Sequence, residues 1–190
     1  MSGCTQLSEK LNSADQAINW QQHLTQVSQL SHWYIEGRVG IKTDKQSGSA
    51  SLFWQQAGEY FEMRIVAPFG RGTYILKGSP TLVQMQGPKN LFLTATTAEE
   101  LLKQELGWSV DLQGLQYWVR GVPTPDVAHD LQLDNAGRLH FLQQAGFNID
   151  INRYADVGGL QLPDKLQIES ANLRLKLLIN RWDLSTKIQT

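Results

Sequence analysis

The sequence predicts a mainly β fold with some α: one domain whose antiparallel strands close, or nearly close, into a barrel. Three observations predict it. Apolar residues alternate with polar ones at a period of two in about ten or eleven separate runs. Short Gly-, Asn-, Asp- and Pro-bearing turns join those runs, the pattern of antiparallel meanders. The chain has 190 residues and 41% apolar content, enough for one real core and no second domain. Many short antiparallel strands in one chain close, or nearly close, into a barrel.

Along the chain, residues 1–13 are polar and read as a flexible tether. Trp20, Leu24, Val27 and Leu30 then recur at helical spacing, predicting an amphipathic helix over 14–30 capped by Ser13 or Asp15. After Ser31 the period becomes two. Ile35, Gly37, Val39 and Ile41 share one face, and Ala50, Leu52 and Trp54 alternate after a polar turn at 44–48. Phe61, Met63, Ile65 and Ala67 follow the Ala57-Gly58 turn. Further strands are expected at 73–77, 82–86 and 90–94.

Thr97-Ala98-Glu99-Glu100 is a capping box that opens a short helix through Leu101, Leu102 and Leu106, closed by Gly107. A second short helix is expected at 112–120. The last third alternates again around Leu131, Leu139, Phe147, Leu162 and Leu173. Helices laid across one mouth of such a barrel can cover an interior with room for a ligand. No linker or fixed-period repeat divides the chain, so residues 14–190 are one domain.

Composition narrows the function. The net charge of −1 and the scattered Lys and Arg give no draw toward nucleic acid. No apolar run is long enough to span a membrane as a helix. Six Trp, at 20, 33, 54, 108, 118 and 182, suit a core or a cavity for a greasy ligand. The four His have no partner at metal-site spacing, and no nucleophile elbow or phosphate loop is present. Neither a catalytic set, a metal site nor a cofactor is expected.

Two local features stand apart. Cys4, the single cysteine, lies in Ser2-Gly3-Cys4, which matches the last three positions of a lipobox. A chance terminal cysteine is the other reading. In Pro68-Phe69-Gly70 a tight turn carries a Phe between two strands. That Phe either tucks back onto the sheet or serves as a wedge toward a bilayer or apolar partner.

Taken in order, these segments resemble the LolB family. Leu52-Phe53-Trp54-Gln55-Gln56 and Arg64-Ile65-Val66-Ala67-Pro68-Phe69-Gly70 look like its paired strands and protruding loop. Residues 112–123, with Leu115, Trp118, Gly121 and Pro123, are similar to its internal helix, and Asn180-Arg181-Trp182 to its closing strand. The resemblance implies an incomplete barrel with a helical lid over a hydrophobic cavity. It also implies an outer-membrane receptor, lipid-anchored through Cys4 on the periplasmic face. Such a receptor accepts acylated lipoproteins from the soluble carrier LolA and inserts them into outer-membrane lipid, as a monomer and not an enzyme.

Phe69 stands where the family usually places Leu, which keeps the apolar character. Met1 stands where a lipobox carries an aliphatic residue. The expected acyl-cavity walls are Trp33, Ile35, Val39, Leu52, Trp54, Met63, Ile65, Trp118 and Trp182. Two alternatives remain. A LolA-like soluble carrier would lack the lipidated Cys and the wedge, and a lipocalin-like binder of small apolar molecules would need neither a membrane loop nor a protein donor.

Overall fold

Alternation along the strands produces one antiparallel sheet of eleven strands in a computed structural model that describes residues 4–67 and 72–185, of residues 4–14 the backbone alone. The strands are β1 (His32–Thr43), β2 (Ser47–Ala57), β3 (Tyr60–Val66), β4 (Thr73–Ser79), β5 (Leu82–Gly87) and β6 (Leu91–Ala95). After two helices come β7 (His129–Leu133), β8 (Leu139–Gln144), β9 (Phe147–Val157), β10 (Leu160–Ser170) and β11 (Leu173–Asp183). Their spatial order is β6-β5-β4-β3-β2-β1-β11-β10-β9-β8-β7, so the first and last strands pair in the middle. The edge strands β6 and β7 do not pair with each other, and the barrel stays open. The chain between those two edges carries α2 (Ala98–Leu106) and α3 (Leu112–Trp118).

The inward face is the one the alternation marks. Trp33, Ile35, Val39 and Ile41 of β1, Ala50, Leu52 and Trp54 of β2, and Met63 and Ile65 of β3 are all buried. Leu173, Leu175, Leu177 and Ile179 continue that face along β11. A bulge between Glu36 and Gly37 shifts the β1–β11 register. Glycine is required there, because a Cβ on Gly37 would lie 2.3 Å from the Leu178 carbonyl oxygen. In β10, Pro163 sits inside the strand beside a register shift, which is where a residue without an N–H is tolerated.

The helices follow their caps. The Thr97 hydroxyl accepts from the Glu100 amide, and left-handed Gly107 closes α2. The Glu100 carboxylate accepts from the Thr96 hydroxyl, so this half of the expected capping box lands one residue early. Asp111 caps α3 through the Gly114 amide at 2.8 Å. That helix ends at Trp118, two residues short of the expected limit.

The N-terminal helix differs more. α1 spans Cys4–Ser28, so it starts ten residues before the expected position and runs through Ser13 and Asp15, which therefore do not cap it. Trp20, His23 and Val27, spaced three and four apart, bury one stripe against the body, while Leu24 and Leu30 stay half-buried. Trp20 stacks on His23 and His23 meets the Tyr154 ring edge-on. Asn19 donates to the Ala136 carbonyl in the β7–β8 turn. Among the described residues no helix is long and apolar enough to cross a membrane.

Candidate functional site

Two cavities lie against the inward face, and no residue lines both. The first, about 910 Å³, is walled by Trp33, Trp54, Phe61 and Val83 from the sheet. Ala98 of α2, Leu112 and Tyr117 of α3 and Leu24 of α1 complete it. The second, about 1050 Å³, is floored by Val39, Ile41, Ala50 and Ile65. Tyr74, Leu106 and Trp108 form its sides, and Ala67 lies at its edge. Either volume is at or near the upper end of the range of about 300–1,000 Å³ that holds small ligands.

Three indoles cluster at the first cavity, two of them lining it. Trp33 and Trp54 meet edge to face at 4.8 Å, and Trp182 packs on Trp33 at 5.6 Å. The Trp54 N–H donates to Gln56, whose amide donates to the Gly58 carbonyl, and Trp182 donates to the Pro163 carbonyl. With those polar edges paired, the ring faces carry no outstanding hydrogen-bond demand. Carboxylates line this cavity too: Glu59, Glu99, Asp111 and Asp126. Among the described residues the one cation lining it is Arg120.

Arg120 is buried, and among the described residues no carboxylate lies within ion-pairing distance of it. Its Nε donates to the Gln116 carbonyl at 2.8 Å, and Nη1 donates to those of Val27 and Leu30. The guanidinium also lies 4.9 Å over the Tyr117 ring. Burial lowers its pKa below the ordinary arginine value, opposed by Tyr117. Arg120 thus ties the end of α1 to α3 at the cavity wall.

The Gln144 amide is fully engaged. It accepts from the Trp118 indole and the Thr124 amide, and donates to the carbonyls of Thr124 and Val127. Neither Arg120 nor Gln144 was in the sequence-derived set. The only trace of Gln144 is a glutamine in the inward phase of a strand, after Leu142.

The nine expected wall residues separate into groups. Trp33 and Trp54 line the first cavity, and Val39 and Ile65 the second. Ile35, Leu52, Met63 and Trp118 are buried in packed core and line neither. Trp182 is half-buried against Trp33. Pro68, Phe69 and Gly70 lie outside the described residues. The neck of their hairpin is described: Ala67 donates to the Gly72 carbonyl at 3.0 Å, and Val66 pairs with Thr73. Cys4 opens α1, and its side chain is likewise outside the described set.

Among the described residues no three His, Cys, Asp or Glu converge as metal ligands. His32, His129 and His140 are exposed, and His23 serves the α1 seat. Chemically, the two cavities offer aromatic and aliphatic surface bordered by charged and polar side chains.

The family model described as "Outer membrane lipoprotein LolB" matches residues 31–182. A protein of Pseudomonas paraeruginosa strain PA7 named outer-membrane lipoprotein LolB is 38% identical over 96% of this chain and 90% of its own length. One of the same name from Pseudomonas savastanoi pv. phaseolicola is 35% identical over the same shares. Among solved structures, a LolA superfamily protein of Nitrosomonas europaea aligns with a TM-score of 0.55 at 9% identity, covering 89% of this chain and 94% of that one. A DUF1329 family protein of Desulfovibrio piger aligns at 0.56 with 10% identity, covering 93% and 94%.

Proposed function

The chain belongs to the LolB family of outer-membrane lipoprotein receptors, and from that premise we propose how it works: it takes acylated lipoproteins from a soluble LolA-type carrier into the indole-walled interior and releases them into outer-membrane lipid. The observation that carries this reading is the apolar inward face of an unclosed sheet, with two cavities of about 910 and 1050 Å³ against it.

Each buried methylene contributes ~0.8 kcal/mol, so a chain of roughly fifteen methylenes resists entering water by about 12 kcal/mol. Handover through free solution is then negligible. The acyl chains must pass from one apolar cavity to another, and from there to lipid. That task needs apolar volume and an exit near the bilayer, and no bond-making groups. α2 and α3, in the chain segment between the sheet's free edges, form the lid.

Lipid on the Cys4 thiol anchors the protein to the periplasmic face of the outer membrane. Residues 1–13 link that anchor to the body, residues 14–190 form the lipoprotein-binding domain, and the protein acts as a monomer. Phe69, flanked by Pro68 and Gly70 in the chain segment that joins β3 to β4, is the wedge that meets lipid. A lipocalin-like binder of small apolar molecules would use the same cavities but has no use for that segment.

The test is transfer of a triacylated lipoprotein from its carrier, with and without liposomes, using wild type and Phe69→Glu. The expected result is that both accept the lipoprotein and only wild type delivers it. Failure of wild type to accept anything from the carrier would remove the receptor reading in favour of the small-molecule binder.

A further inference from the structure

We infer that the second cavity is a separate acyl-binding compartment, so that the acyl chains of one cargo lipoprotein divide between two sites at opposite ends of α2. This rests on the receptor reading and adds to it where the chains go.

The division is written in strand parity. Successive inward residues of a strand lie roughly 6.7 Å apart. On β2 the first of them, Trp54, lines the first cavity; the next, Leu52, lines neither; the third, Ala50, lines the second. β3 repeats the order with Phe61, Met63 and Ile65; on β1, Trp33 lines the first cavity, Ile35 and Gly37 line neither, and Val39 lines the second. α2 spans the same interval from above. Ala98 lines the first cavity, Leu101 and Leu102 are buried in one core cluster with Ile35, Leu52 and Met63, and Leu106 lines the second. A packed layer of Ile35, Leu52, Met63, Leu101 and Leu102 therefore separates two volumes that each suffice for an acyl chain.

The second compartment has the chemistry of an acyl site in its own right. Its floor is aliphatic, Val39, Ile41, Ala50 and Ile65, and Trp108 and Tyr74 supply ring faces. Its charges balance, with Lys45 and Lys103 against Asp44 and Glu105. This leaves no net field that would favour a charged ligand over a neutral chain. Its mouth is tied by Gln46, whose amide donates to the Leu106 carbonyl at the end of α2. It also adjoins the neck of the β3–β4 hairpin through Ala67 and Tyr74, placing it on the delivery side.

The experiment uses the full unlipidated chain and dibromostearate, whose bromines quench nearby indoles. Trp108 reports the second compartment, and Trp33 with Trp54 the first; the difference between wild type and Trp108→Phe isolates the Trp108 signal. Two equivalents of probe are expected to bind, and Trp108 to be quenched at saturation along with Trp33 and Trp54. Ala50→Phe, which turns a ring into the second cavity, should lose one equivalent and the Trp108 quenching while keeping the rest. It should also accept lipoprotein from the carrier yet deliver it to liposomes more slowly than wild type.

If Trp108 stays unquenched in wild type while Trp33 and Trp54 respond, the second compartment is refuted and the receptor reading stands. If no indole responds and the carrier's cargo is not accepted, both fall. The Trp108 quenching is read from wild type and the conservative Trp108→Phe alone, so a folding defect in Ala50→Phe would not shelter the inference.

Discussion

Replacing Arg120 with Met should loosen the N-terminal helix without emptying the core. The side chain spans from α3 to the last turn of α1, and its three bonds go to carbonyls of Gln116, Val27 and Leu30 at 2.8, 3.3 and 3.0 Å. Terminal carbonyls of a helix have no partner within it. Val27 keeps the Leu30 amide as a second partner. Hydrogen bonds from a charged donor contribute roughly 1.5–3 kcal/mol each, so the two shorter ones alone represent about 4 kcal/mol. Burying an ion without a counter-ion costs part of that back, and Met retains the apolar stem.

A net loss of about 2 kcal/mol is the expected balance. With a urea slope of roughly 2 kcal/mol per molar, the midpoint should fall by about 1 M. Trp20, seated by the same helix, should redden its emission before the bulk transition. Arg120→Lys should recover little, because an ammonium lacks the planar fork that reaches two elements at once. A midpoint within about 0.2 M of wild type would show that the desolvation cost cancels the bonds and that Arg120 is no tie.

Gln144→Leu should cost more. It leaves the buried Trp118 indole and the Thr124 amide without partners, at roughly 1–3 kcal/mol each. A loss near 4 kcal/mol lowers Tm by about 8–16 °C in a domain of this size, so a calorimetric shift under about 3 °C would contradict the network.

His23 should make the docking of α1 sensitive to acid. Burial lowers its pKa below the ordinary value of 6.5, and the Arg138 charge acts in the same direction; backbone groups of Gly121 and Arg120 oppose them. Its Nε2 has no hydrogen-bond partner, and the rings of Trp20 and Tyr154 face it. The undocked helix binds the proton more readily, so stability is full above pH 6.5 and declines as pH falls below it. The urea midpoint of wild type minus that of His23→Leu should therefore drop between pH 7 and 5. A flat difference would refute the linkage.

Most of the sheet could be read from the chain because its signal is local. A strand with one buried face announces its phase within five or six residues, as Ala50, Leu52 and Trp54 do. Thr97 and Gly107 mark the ends of α2 because a cap is satisfied within three residues. The start of α1 was misplaced for the same reason. The apolar stripe that begins at Trp20 marks where the helix docks, and helix can continue past the docked stretch without leaving any apolar trace. Two of the three hydrogen-bond partners of Arg120, Val27 and Leu30, lie about ninety residues away, and nothing near residue 120 announces the end of α1.

The cavities were the least legible part, and the reason is physical. A wall and a packed core are built from the same apolar residues in the same phase, so Leu52 and Trp54 look equally suited to line a void. What separates them is the depth of side chain arriving from the opposite layer. Leu52 is buried in the same core cluster as Leu101 and Leu102 of α2; the second cavity is lined by small Ala50 and by Leu106, the last residue of that helix. A void is thus decided jointly by strand phase, by side-chain size and by where a helix 50 residues downstream stops. Two cavities with a packed layer between them follow from a nine-residue helix laid over a face that three successive inward residues make apolar. A longer α2 would extend that cover over the second cavity, which makes the position of Gly107 a determinant of acyl capacity.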